Sequence, residues 1–274
     1  MKTVKGKRIL ITGAAMGMGK IYAELSVQEN ASALVLWDVN SKALFLTAKE
    51  LKSDSTKIFT DVVDISDREK VRNAVSKIDS QLGGIDIIIN NAGIVRGKYF
   101  WEHDPKSDIE ATMAVNALGP MYLTRFLLPK MLSDKSGEFR IVNISSAAGL
   151  ISNPKMSVYC ASKWAETGWS DSLRLELVQA CYGHVKVTTV NPAYISTGMF
   201  EGVKGMLFTP ILTPEYVTSK VWEAMKKGKP RLLLPWTIYL SNALRGILPI
   251  SVFDWIADNI FGVYKTMEGF KGRS

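Results

Sequence analysis

The chain has 274 residues, with 34 Lys plus Arg against 26 Asp plus Glu and a formal net charge of +8. Its 47% apolar and 22% charged residues match an ordinary globular protein, which excludes disordered, collagen-like and disulfide-scaffold classes. Two cysteines, Cys160 and Cys181, fit free thiols in a reducing compartment, and no stretch reaches the roughly 18 uninterrupted apolar residues of a spanning helix.

Short β-branched apolar runs mark strands at Arg8–Thr12, Ala33–Trp37, Thr56–Val62, Asp86–Asn90, Phe139–Ile144, Val185–Val190 and Arg231–Leu234. Longer segments between them carry helical spacing. In Asp67–Leu82 the residues Val71, Ala74, Val75, Ile78 and Leu82 recur at i, i+3 and i+4. This alternation predicts an α/β fold, a single doubly wound Rossmann domain over 1–274 with a seven-stranded parallel sheet. Ligands of such sheets bind at the carboxyl ends of the strands. The weakly periodic stretch 194–214, rich in Gly, Met and Phe, reads as a substrate flap. An apolar helical tail follows over about 236–268. Its second helix is expected to open at Ser251 with Asp254 as a capping box. That helix presents Val252, Trp255, Ile256, Ile260, Val263 and Tyr264 on one face, and Trp255, Ile256, Ile260 and Phe261, on or beside that face, are expected to turn toward the protein's own substrate cavity.

Directly after the first strand comes Thr12-Gly13-Ala14-Ala15-Met16-Gly17-Met18-Gly19. Glycines there let the backbone approach a pyrophosphate at the start of a helix. Asp38 ends the second strand, 19 residues after Gly19, where a carboxylate can hold the adenosine ribose; its competing role is a helix cap. A carboxylate would repel the 2′-phosphate of NADP, and no cation stands at Ala14, Ala15, Met16 or Val39. NAD is therefore the expected cofactor. Asp64-Ile65 and Asn90-Asn91-Ala92-Gly93 are turns at the same sheet edge. Asp64 is placed to accept from the adenine amino group, with Asn91 and Gly93 lining the ribose. No cluster around His103 or His184 has metal-ligand character, and both histidines are expected at the surface.

Tyr159 and Lys163, at i and i+4, share a helix face. A cation near a phenol favours phenolate and suits the Tyr to general acid–base work. Thr12-x3-Gly17-x-Gly19, Asn90-Asn91-Ala92-Gly93, Ser146, Tyr159-x3-Lys163 and Asn191-Pro192 occur in this order. Together they resemble the short-chain dehydrogenase/reductase family over about residues 5 to 235. The resemblance implies that Tyr159 is the acid/base and that Lys163 lowers its pKa and holds the nicotinamide ribose. It implies that Ser146 binds the substrate oxygen and that Asn116 supports a proton-relay water. Ile195 and Thr197 would hold the carboxamide. Gly13, Ala15, Met16, Gly17, Met18, Gly19, Asp38, Asp64, Ile65, Asn91, Ala92 and Gly93 would complete the cofactor site. Pro192-Ala193 departs from the family's usual Pro-Gly, and alanine fits only if its φ stays negative.

Asn91 through Gly97, Tyr159 through Ala165, Thr197-Gly198-Met199-Phe200 and Leu234-Pro235 further resemble the retinol and 17-beta-hydroxysteroid dehydrogenase branch. That branch implies a lipophilic alcohol or ketone substrate. Tyr194, Met199, Phe200, Met206, Leu207 and Phe208 of the flap point the same way. The alternatives are a reductase of small ketones, diketones or oxoacyl groups, and a catalytically silent membrane or lipid-droplet scaffold. A homodimer or homotetramer built on the helices of Asn116 and Tyr159 is implied. No leader is expected before the first strand, so the location is cytoplasmic. Basic residues (Lys2, Lys5, Lys7, Arg8, Lys226, Lys227, Lys229, Arg231, Lys265, Lys271, Arg273) leave open a peripheral membrane contact. No motif for nucleic acid accompanies them.

Overall fold

The computed structural model describes residues 1–51 and 53–272. Arg273, one of the basic tail residues, lies outside them. Seven strands form one parallel sheet: β1 (Arg8–Thr12), β2 (Ala33–Asp38), β3 (Lys57–Val62), β4 (Ile87–Asn90), β5 (Phe139–Ile144), β6 (Val185–Pro192) and β7 (Arg231–Leu234), in the order β3-β2-β1-β4-β5-β6-β7. Strand alternation sorts their side chains to the two faces. Ile9, Ile11, Leu34, Leu36, Ile87 and Ile89 pack on one side, with α1 (Gly17–Gln28) and α7 (Pro214–Lys227). Leu10, Val35, Trp37, Ile88 and Ile141 pack on the other, with α3 (Arg68–Leu82), α5 (Gly119–Ser133) and α6 (Ser157–Gln179). Between these helices in sequence, α2 (Ser41–Glu50) is capped by Asn40 and α4 (Ala111–Met113) lies between π-helical turns at Pro105–Glu110 and Ala114–Leu118. Chain order reverses between β1 and β4, which puts a crevice at their carboxyl ends.

Boundaries differ from expectation for identifiable reasons. Asp86 does not begin β4. Its carboxylate accepts from the Arg8 backbone N–H at 2.7 Å and grips the Arg8 guanidinium. β6 runs on through Pro192 because Asn191 and Pro192 pair with Leu233 and Leu234. The tail forms α8 (Thr237–Ile247) and α9 (Ile250–Asn259). No capping box forms at Ser251: α9 starts after Pro249 without a side-chain cap, and Asp254 instead accepts from the Tyr264 hydroxyl. The expected face of α9 is buried only in part, with Ile256, Val263 and Tyr264 half-buried. Phe253 and Ala257 are buried, whereas Val252, Trp255 and Ile260 are exposed.

His103 is not a surface residue: its side chain is fully buried, with Nδ1 3.6 Å from Asp108, and neither ring nitrogen has a hydrogen-bond partner. His184 is half-buried, its Nε2 3.0 Å from the Met131 carbonyl. Much of the basic clustering is spent on internal pairs, Arg8 with Asp86, Lys226 with Glu29 and Glu223, and Arg231 with Asp171. Cys160 and Cys181 are both free. Among the described residues, no helix is long and apolar enough to cross a membrane.

Candidate active site

The β1–α1 turn is shaped by glycine. Gly13 and Gly17 have φ of +63° and +55°, and a Cβ on Gly19 would stand 2.0 Å from the Gly13 carbonyl oxygen. Only bare backbone passes there. Met16 takes the extended N-cap position of α1, and the half-buried Met18 packs on the core. Asp38 does not cap α2. Its carboxylate accepts from Ala15 N–H at 3.0 Å and from Asn40 N–H at 2.9 Å. It therefore holds a negative charge at the end of β2, beside the glycine turn.

The β4 turn is tied to the same loop. Thr12 Oγ1 accepts from the backbone N–H groups of Asn91 and Ala92 at 3.0 and 3.1 Å. The Asn91 amide donates to the carbonyls of Thr12 and Gly13 at 3.0 and 3.1 Å. The Asn91 side chain thus clamps the β4 turn to the glycine turn. Asp64 accepts from Ser66 N–H and Oγ, and Ile65 packs under Gly119. Thr197 faces Gly17 across the crevice, 3.7 Å from where a Cβ would lie, and Ile195 is buried behind it. Ala193 keeps φ out of the left-handed region, so the missing glycine leaves the loop intact.

The second half of the site hangs on α6. Tyr159 is 4% exposed and its ring meets Phe200 edge-on at 5.9 Å. Burial pushes the phenol above its ordinary pKa, while a hydrogen bond with Ser146 pulls it back. Ser146 begins the turn Ala147–Gly149, accepting from Ala148 N–H at 3.1 Å, and its carbonyl accepts from the Asn191 amide at 2.8 Å. Its neighbour Ser145 is buried against Thr167. Lys163 donates to the Ile144 carbonyl and to Glu166, each at 2.8 Å, with Nζ 6.0 Å from the Tyr159 ring centroid. Asn116, in the π-helical turn Ala114–Leu118, is clamped by Ile94 N–H and C=O at 2.8 Å and by Ser162 at 3.0 Å. A Cβ on Gly93 would stand 3.4 Å from Asn116 Oδ1 and 3.8 Å from Lys163 Nζ. The fold thus brings Gly93, Asn116, Ser146, Tyr159 and Lys163 to one end of the crevice.

Two participants escaped sequence reading. Glu166, buried against Lys163, sits seven residues after Tyr159, and that heptad spacing of a charge on an otherwise buried stripe was the available signal. The Thr12 hydroxyl clamp gave none, since its partners are backbone groups.

Beside Ser146 opens a cavity of about 450 Å³, within the range of small-molecule sites. Tyr194, Phe200, Met206 and Phe208 of the flap line it. Trp236 at the N-cap of α8, Leu240 and Leu244 within it, and Phe261 and Val263 close the other side. The tail therefore does face the cavity, but through α8 and the segment after α9. Trp255 and Ile260 do not line it, and Leu207 is exposed. The Tyr194 hydroxyl is engaged with Asn153 and Thr266 at 2.8 and 2.9 Å, and burial pushes its pKa up to about 12.

A family model described as short chain dehydrogenase matches residues 7–206. Epidermal retinol dehydrogenase 2 of Mus musculus is 36% identical over 99% of this chain and 87% of its own length. Estradiol 17-beta-dehydrogenase 11 of Pongo abelii is 35% identical over 90% of this chain and 81% of its own. A solved short-chain dehydrogenase/reductase from Burkholderia phymatum, in complex with NAD, superposes with a TM-score of 0.81 at 26% identity, covering 90% of this chain and 95% of that one. The chain belongs to the short-chain dehydrogenase/reductase family and is an oxidoreductase.

Proposed function

We propose that this protein is an NAD-dependent dehydrogenase of a lipophilic alcohol, of the steroid, retinoid or long-chain class, with Tyr159 as general acid/base. The carrying observation is the apolar cavity that opens beside Ser146, the hydrogen-bond partner of Tyr159, and is walled by flap and α8. Relatives named for retinol and estradiol support the same class.

The residues present fit NAD. The bare turn Gly13–Gly19 leaves room for a pyrophosphate at the start of α1, and a Cβ would fill that cradle. Asp38 presents a carboxylate to ribose hydroxyls, and Val39 beside it is exposed with no cation to favour a phosphate. Asn91, Ala92, Gly93, Ile195 and Thr197 bound the far side. NAD, when bound, supplies the hydride acceptor.

Ser146 Oγ orients the substrate oxygen toward Tyr159 and stabilises charge growing on it. In oxidation the Tyr159 phenolate takes the alcohol proton at Oη. In reduction the phenol gives it back, and burial favours that protonated form. Lys163 positions the ribose and offers its charge to the phenol across the ring. Asn116 holds the β4 turn in place through Ile94. Exposed Leu118, Trp164, Leu175 and Val178 on the helices of Asn116 and Tyr159 support a homodimer or homotetramer. The exposed apolar residues of α8 and α9 beside the cavity support a peripheral lipid contact. NAD reduction with retinol, a hydroxysteroid, a long-chain alcohol and a small diol tests the reading. Turnover confined to the diol overturns it.

A further inference from the structure

Glu166 is a buried ionisable group to which the chemistry above gives no task. On α6 it follows Tyr159 by seven residues and Lys163 by three, so all three share one stripe of the helix. Its side chain is 1% exposed and that of Lys163 is 5%. Removing a carboxylate from water costs several kcal/mol unless a close partner compensates, and an apolar side chain would fill the space without that cost. Here the compensation comes from Lys163, whose Nζ lies 2.8 Å from Oε2.

An ammonium has three N–H donors. One goes to the Ile144 carbonyl and one to Glu166. The remaining one is left for the side where Gly93 passes, at the crevice. Among the described residues, Arg245 of α8 lies over the Trp164 ring of α6 at 4.5 Å, and its charge draws the Cys160 thiol down against burial. The Ala147–Gly149 turn, α4 and the Ala114–Leu118 turn carry no ionisable side chain, and β6 carries only the exposed Lys186. On α6 itself Cys160 adjoins the Tyr159 phenol, and from the flap Tyr194 approaches it.

We propose that Glu166 is a positioning residue: its carboxylate aims the Lys163 ammonium at the crevice and opposes that ammonium's charge at the Tyr159 phenol. The inference rests on the roles given above to Tyr159 and Lys163. Burial raises the Glu166 carboxyl to about 7, against the pull of Lys163. Burial dominates at Tyr159, and the charge of Glu166 adds to the upward push. Once ionised, Glu166 makes the phenol harder to deprotonate. Replacing it by an uncharged isostere should let Tyr159 work as a base at lower pH.

Two measurements test this. In the cofactor-free protein labelled at glutamate carboxyl carbons, one resonance should titrate near neutrality and vanish in Glu166→Gln. The same resonance should titrate at least about one pH unit higher in Lys163→Met, where the pairing cation is gone. With 1-decanol and NAD, the rising limb of kcat against pH should move about one unit lower in Glu166→Gln. Glu166→Asp, which keeps the charge, should return it toward the wild type. A purely structural glutamate would lower melting temperature and kcat at every pH and leave the limb in place. An unmoved limb in folded Glu166→Gln overturns the proposal, as does a Glu166 titration indifferent to Lys163. Should Glu166→Gln not fold, the comparison of wild type with Lys163→Met decides alone. An error in the assigned roles shows separately, as sustained turnover by Tyr159→Phe.

Discussion

Replacing Thr12 by Val should cost far more than its size suggests. Thr12 is 1% exposed, and its hydroxyl is the acceptor for two backbone N–H groups, Asn91 at 3.0 Å and Ala92 at 3.1 Å. Valine has the same shape and no acceptor. Each orphaned donor costs about 1–3 kcal/mol, so after relaxation the loss should be about 3 kcal/mol. In a chain of this length that corresponds to a melting point roughly 6–12 °C lower. Thr12→Ser keeps the acceptor and removes one methyl, for about 1 kcal/mol. Because the clamp fixes the β4 turn against the glycine turn, NADH affinity should fall with stability in the Val variant and hold in the Ser variant. Urea unfolding and NADH fluorescence titration measure both. A Val variant as stable as the Ser variant would refute the clamp.

Tyr159→Phe should retain NADH affinity within a few-fold while turnover falls by about 10²–10⁴, read by paired fluorescence titration and steady-state rates. Asp38→Ala combined with Val39→Arg should move cofactor preference toward NADP, by removing a repulsion and adding a phosphate partner; competition kinetics with both cofactors check it. Stability should also depend on Glu166. Its folded pKa of about 7 lies above the unfolded 4.5, so the folded state binds the extra proton and the contribution is complete below about pH 4.5. It is lost as pH rises toward about 7, a decline of about 3 kcal/mol. Glu166→Gln should flatten that slope in denaturant titrations across pH 4–8. Leu244→Ala on α8 should raise KM for long alcohols more than for short ones, since Leu244 lines the cavity.

The parallel sheet was legible because each buried strand is a short β-branched run separated from the next by a helical segment. The glycine turn with Asp38 beside it was legible from its place between strand and helix, and the grouping of Ser146, Tyr159 and Lys163 at one end of the crevice from the order of motifs that resembles the family. What escaped depended on contacts distant in sequence. His103 reads as polar surface until the 94–104 loop folds it against Asp108. The start of α9 mimics a capping box, but the N-cap is Pro249, two residues earlier than Ser251, and Tyr264 claims Asp254. The Asn91 amide likewise reaches the Thr12 and Gly13 carbonyls, partners far away in sequence.

A cavity with this lining should select for apolar substrate length. A homologous series of straight-chain alcohols with saturating NAD tests it most directly. If each added methylene is buried between flap and α8, it contributes about 0.8 kcal/mol, or about fourfold in kcat/KM. kcat/KM should rise with length until the cavity is full, with a shallower slope in Leu244→Ala. A flat or falling series would contradict it.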